Sequence, residues 1–173
     1  MSYASPSDPE TFIFAGDGWI PNSRLPLLVY RRALPTDPAA IERHFTAHDW
    51  SGGWRNGIYS FHHFHSTAHE VLGIASGAAE VRFGGSGGQT LRVEAGDVVV
   101  IPAGVAHCKQ GTSGGLLVVG AYPGGAEYDL KRGDPAEHDA AVRNVSRVPL
   151  PAQDPVYGRG GPLLRLWRAQ ARG

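Results

Sequence analysis

Residues 62–70 read "HHFHSTAHE", nine positions that hold half of the chain's eight histidines and end on a carboxylate. As a helix, the segment would bring His65 and His69 onto one face at a spacing of four; as a strand, it would bring His63 and His65 together at a spacing of two. The residues just upstream decide between these readings. The run 57–65, "GIYSFHHFH", is dense in β-branched and aromatic side chains, which lose χ1 freedom in a helix and suit a pleated surface. The pattern predicts a strand over 57–65, with Tyr59, Phe61, His63 and His65 on one face and Ser60, His62 and Phe64 on the other. Residues 66–69 then turn the corner into a strand over 69–75, where Glu70, Leu72 and Ile74 share a face opposite His69 and Val71. In that geometry His63 and His65 both reach one ion, and Glu70 can return to the same centre. The helical alternative would want a glutamate directly after the first histidine, but Ser66 follows His65.

Outward from this segment, 24 Gly and 13 Pro punctuate short apolar runs, as in an all-β domain. Further strands are expected over 25–31, 79–83, 90–94, 97–102, 106–110, 116–122 and 163–167. Glycine-bearing links at 76–77, 84–88, 95–96 and 113–115 should join them. Closely spaced antiparallel strands must close into a barrel or sandwich to bury their apolar faces. Two short helices interrupt the pattern. In the first, Asp37 caps, Pro38 takes the first position, Ile41 and Phe45 recur on one side, and Gly52 and Gly53 stop the helix. In the second, Asp134 and Glu137 have capping-box spacing around Pro135. The tail through 149–167 reads as an extended segment whose last part lies along the barrel as a strand.

A further ligand has to come from elsewhere, and "GDVVVIPAGVAHC" (96–108) offers His107 at the start of a strand, after the rigid corner of Pro102 and Gly104. At this point the residues resemble the cupin superfamily, whose first motif is G-x5-H-x-H-x4-E-x6-G and whose second is G-x5-P-x-G-x2-H-x3-N. Gly57, His63, His65, Glu70 and Gly77 fit the first; Gly96, Pro102, Gly104 and His107 fit the second, with Gly111 in place of the final Asn. The stretches "GWIPNSRLPLLVYR", "WRNGIYSFHHFHSTAHEVLG", "AGDVVVIPAGVAHC", "VVGAYPGG" and "DPVYG" are similar to the YjlB-like branch of that superfamily.

The resemblance implies a single-domain double-stranded β-helix, or jelly-roll barrel, over 1–173 with two short flanking helices. The core barrel would run from about 25 to 123, with an N-terminal arm, a C-terminal helix and an extended tail packed on it. It also implies one divalent transition metal (Fe, Mn, Ni, Zn or Cu) on His63, His65, Glu70 and His107, and a homodimer.

Three imidazoles and a carboxylate on an octahedral ion leave two positions open. The expected function is therefore a metalloenzyme acting on a small oxygenated substrate, by dioxygenase-type or isomerase-type chemistry. A non-catalytic cupin that binds a small molecule, or uses its metal structurally, is the alternative. Tyr59, on the ligand face, and His69, at the corner, are the candidate catalytic groups; His62 points outward. Lys109, two residues beyond His107, could bind an acidic group or simply be solvated at the barrel mouth. Cys108, the sole cysteine, excludes an internal disulfide and a thiolate cage, and reads as a small buried hydrophobe. Lys plus Arg and Asp plus Glu count 16 each. That balance leaves no electrostatic basis for nucleic acid or anionic lipid as partners. The opening "MSYASPSDPE" lacks the basic-then-apolar run of a signal peptide, so a cytoplasmic location is expected.

Overall fold

The residues described by the structure, a computed structural model, are 6–171. Among them seven strands form one antiparallel sheet: β1 (Glu10–Phe14), β2 (Ser23–Tyr30), β3 (Trp50–Asn56), β4 (Glu70–Phe83), β5 (Gln89–Glu94), β6 (Val98–Ile101) and β7 (His107–Pro123). Their order is β1-β2-β6-β4-β7-β3, with β5 also paired to β4, so the ladder does not close. Three α-helices, α1 (Pro38–Ala47), α2 (His138–Arg147) and α3 (Pro162–Ala171), and a 3₁₀ turn at Pro135–Glu137 are the remaining helical elements among the described residues. None of the described helices is long and apolar enough to cross a membrane.

Strand alternation divides the core in two. Leu28, Tyr30, Val71, Val98 and Val100 pack with Ile41 and Phe45 of α1 and Leu163 and Trp167 of α3. Their neighbours Leu27, Val29, Leu72, Ile74, Val99 and Ile101 turn to the other face and pack with Val81 and Phe83. Because β6 is buried on both faces, it reads as an unbroken apolar run rather than an alternating one.

The all-β expectation holds, with Asp37 capping α1 through Ala40 N–H at 2.9 Å and Pro38 in the first turn. Four details differ. First, the predicted strand over 57–65 does not form; only His63 and Phe64 make isolated bridges, to His107 and Lys131. A regular ladder through the His63–His107 pair would set Phe61 opposite Lys109, yet Lys109 N–H donates to Tyr59 O at 2.9 Å. Four residues on this segment thus span two on β7, and the surplus prevents a continuous ladder.

Second, residues 163–167 are helical. Leu163, Leu164 and Trp167 are all buried, a spacing that lies on one side of a helix but is split across both faces of a strand, and Pro162 suits a first helical turn. Third, α1 ends at Ala47, where Asp49 takes a positive φ of 64°, and Gly52 and Gly53 lie inside β3. A Cβ on Gly53 would sit 2.4 Å from Gly120 O, so the glycine serves strand approach rather than helix termination. Fourth, the links expected at 76–77 and 113–115 are bulges within continuous strands. The register of β4 against β7 shifts around Ser76, and Gly77, Gly114 and Gly115 carry positive φ values of 68–71°.

Candidate metal centre

Glu70 is the first residue of β4 and His107 the first of β7, and the two strands pair antiparallel from Val71↔Ala121 to Phe83↔His107. Along a straight strand the 13 steps from Glu70 to Phe83 would span about 43 Å. Instead His107 Nε2 lies 3.3 Å from Glu70 Oε1. The β4–β7 ribbon therefore bends back on itself, through the bulges at Gly77 and Gly114–Gly115, until its two ends meet. His65 arrives from the corner before β4 and sets its Nε2 3.3 Å from Glu70 Oε2.

The ligand atoms of His65, Glu70 and His107 lie within 4.8 Å of one another, and all three residues are buried. His63 adjoins this group rather than falling inside it: its ring centroid is 4.0 Å from that of His107 and 6.1 Å from that of His65. Each of the three imidazoles donates Nδ1–H to a backbone carbonyl, His63 to Phe61 at 2.9 Å, His65 to Asp129 at 2.5 Å and His107 to Val105 at 3.3 Å. A carbonyl only accepts, so in the neutral rings the lone pairs reside on Nε2. Two of those lone pairs then face the oxygens of Glu70, one of which, Oε1, is buried without a hydrogen-bond partner.

Such an arrangement requires positive charge in the middle, supplied by protons or by a metal. With protons, burial would raise the Glu70 carboxyl, but hydrogen bonds from His107 and His65 outweigh it and hold the group well below the usual carboxylate range. Burial alone would lower His65, and the partnership with Glu70 overrides it and raises the imidazole. His63 cannot share this role, because burial first and the neighbouring His107 second lower it to about 3. A divalent ion satisfies the same lone pairs without protonating any ring, and the set of imidazoles plus carboxylate matches the preferences of first-row transition metals.

Several neighbours hold these groups. Tyr122 OH donates to Glu70 Oε2 at 2.8 Å and accepts from Trp54 Nε1–H at 2.8 Å. The corner at His65 is clamped by the Asp129 side chain, which accepts from Ser66 N–H at 2.6 Å and from the Ser66 hydroxyl. Neither Tyr122 nor Asp129 was singled out from sequence, since each is more than fifty positions from its partner and carries no local motif.

The centre opens into a cavity of about 370 Å³. Ile58, Leu72, Leu130 and Trp54 give it apolar wall, Tyr59 and Tyr128 aromatic wall, and Lys109 its one ammonium. Tyr59 stacks on Phe61 at 4.8 Å and meets His63 edge-on at 5.2 Å, so the aromatic row expected on the ligand face exists without the ladder. His69 does not join the cavity. It packs on Trp167 at 4.7 Å, its Nδ1 accepts from Ala103 N–H at 2.9 Å, and burial lowers its pKa to about 4. His62 is likewise absent from the wall, and Cys108 is buried on the reverse face.

A family profile described as Cupin matches residues 55–122. The chain is 45% identical over 159 residues to "Uncharacterized protein YjlB" of Bacillus subtilis (strain 168), an alignment covering 91% of this chain and 96% of that protein. Among solved structures, acireductone dioxygenase from Bacillus anthracis with cadmium ion in the active centre is 15% identical. The match covers 59% of this chain and 80% of that one, with a TM-score of 0.43. Procruciferin, an 11S globulin from Brassica napus, is 21% identical over 45% of this chain and only 20% of its own, with a TM-score of 0.37.

Proposed function

The chain belongs to the cupin superfamily, in the branch of the Bacillus subtilis YjlB protein, and from that premise we propose that it is a metalloenzyme acting on a small oxygenated substrate. One divalent transition metal (Fe, Mn, Ni, Zn or Cu) is held by His65, Glu70 and His107, with His63 as the fourth ligand. The observation that carries this reading is the convergence of imidazole lone pairs on a buried carboxylate whose Oε1 has no hydrogen-bond partner. A bound ion of this kind supplies Lewis-acid polarisation of substrate oxygens and, for the redox-active metals, one-electron chemistry.

The chain's own residues do the rest. Tyr122 fixes the rotamer of Glu70, and the three backbone carbonyls fix the rings. Ile58, Leu72 and Leu130 exclude water around the substrate body. Tyr59, on the wall with half its surface open, touches substrate. His69 acts only through the frame that carries Glu70. Reaction type, dioxygenase or isomerase, follows from the identity of the ion.

Elemental analysis of the purified protein, with His65→Ala and His107→Ala beside it, tests the proposal. The wild type should carry close to one ion per chain and the variants should lose it. Metal-loaded protein is then assayed, with and without oxygen, against diketones, hydroxy-ketones, phenolics, thiols and sugars. Variants that keep the ion overturn the metal assignment; a loaded wild type that turns over none of these substrates supports a non-catalytic binding cupin instead.

A further inference from the structure

The cavity wall carries a charge that the metal centre does not use. Lys109 follows His107 by two positions on β7, so both leave the strand on the same face. The register confirms which face: His107 pairs with Phe83 and Lys109 with Val81, and both partners are fully buried in the apolar cluster beside the cavity. Lys109 is half-buried, lines the cavity, and among the described residues makes no side-chain hydrogen bond or ion pair. Gln110 next to it leaves from the opposite face, exposed and bonded to Thr90.

The rest of the wall leaves this ammonium uncompensated. Among the described residues Glu70 is the only carboxylate there, and it faces the Nε2 atoms of His65 and His107 and the Tyr122 hydroxyl rather than the ammonium. A divalent ion at that end would add further positive charge in a partly dry space, where Coulomb attraction for an anion is strengthened. Asn56 supplies another donor on the wall, because its Oδ1 accepts from Gly57 N–H at 2.8 Å and its NH₂ is left to donate.

We propose that Lys109 forms an anion subsite, and that the natural ligand is a small molecule with an oxygen function at the metal end and a carboxylate at the other. The proposal builds on the metal reading of Glu70 and its histidines. The two ends would lie on residues about 6 to 7 Å apart along β7, which suits a short bifunctional acid rather than a neutral sugar or a simple thiol.

The test uses full-length protein and measures binding of succinate and glutarate, each against its half-amide, succinamate or glutaramate. Every pair keeps one carboxylate for the metal and differs only at the far end. Wild type should prefer the diacid by about tenfold, the usual worth of a hydrogen bond to a charged group. Lys109→Met should lose the preference and Lys109→Arg should keep it, with melting temperatures confirming that both fold. A wild type that binds the members of each pair equally, or binds neither, overturns the subsite, as does a Lys109→Met protein that retains the preference. Metal content of the same samples is read separately. If the preference persists in wild type that carries no ion, the metal reading fails while the subsite stands; if ions are present without preference, the reverse holds.

Discussion

Replacing Tyr122 by Phe isolates a single atom's contribution to the metal centre. The ring is buried and stacks on Tyr128 at 4.2 Å, and Phe keeps that packing. What disappears is the hydroxyl that donates to Glu70 Oε2 at 2.8 Å and accepts from Trp54 at 2.8 Å. Burial, reinforced by the charge of Glu70, pushes the Tyr122 hydroxyl far above its ordinary range, so it is a donor at every working pH. Trp54 is only half-buried and can turn its N–H to water. Glu70 has no such recourse, being 2% exposed. A hydrogen bond to a buried charge is worth about 1.5 to 3 kcal/mol. Losing one that orients a ligand should weaken metal binding by about tenfold to a hundredfold. Competition for Zn(II) or Mn(II) against a chromophoric chelator, with wild type and Tyr122→Phe side by side, measures that ratio directly. An affinity within twofold of wild type would refute the claim that Tyr122 holds Glu70 for the metal. A drop in the melting temperature of chelated protein without any change in affinity would assign the hydroxyl to the fold alone.

Chelated protein should lose stability as pH falls from 6.5. His63 and His69 are buried neutral, with pKa values of about 3 and about 4, so the unfolded chain takes up their protons first and each residue's contribution, present above 6.5, declines below it. His65 is raised and works in the opposite direction, so the fall is smaller than the two buried neutral imidazoles alone would give. Urea unfolding that shows flat or rising stability over that interval contradicts these assignments. Trp167→Ala removes a fully buried ring and its hydrogen bond to Pro26 O, and should cost about 3 to 5 kcal/mol, read as a lower denaturant midpoint. Gly77→Ala places a Cβ 2.6 Å from Ser113 O at a φ of +71°. It should destabilise by about 1 to 3 kcal/mol and weaken metal binding as well, which chelator competition would detect.

Which parts of this structure can be read from the amino-acid order depends on the range of the interaction that decides them. Face parity is local, and it placed Leu72 and Ile74 beside Glu70, Val81 and Phe83 inside, and His107 with Lys109 on one side of a strand, all as found. Pairing partners are not local. Nothing within 57–65 announces that Tyr59, rather than Phe61, will meet Lys109 across β7, so the aromatic row was legible while its departure from a ladder was not. "LLRLW" fits either element; docking of Trp167 against Pro26 and His69 selects the helix. The supports of the centre, Tyr122 for Glu70 and Asp129 for His65, depend on register and on a loop some sixty positions away. Only the folded chain reveals them.

The convergence of Glu70 and His107 and the curling of the sheet are a single physical event. In an uncurled β4–β7 ribbon these residues would stand at opposite ends, and the centre would not exist. Three glycines in the left-handed region permit the bend, since residues with a Cβ resist that conformation. Bringing a carboxylate against two imidazoles inside an apolar shell is costly unless positive charge sits between them, and in the metal-free ribbon a proton has to supply it. An ion held by Glu70 of β4 and His107 of β7 would supply that charge without protonating a ring. Metal binding should therefore act on the ends of the ribbon, holding shut a bend that the glycines only allow.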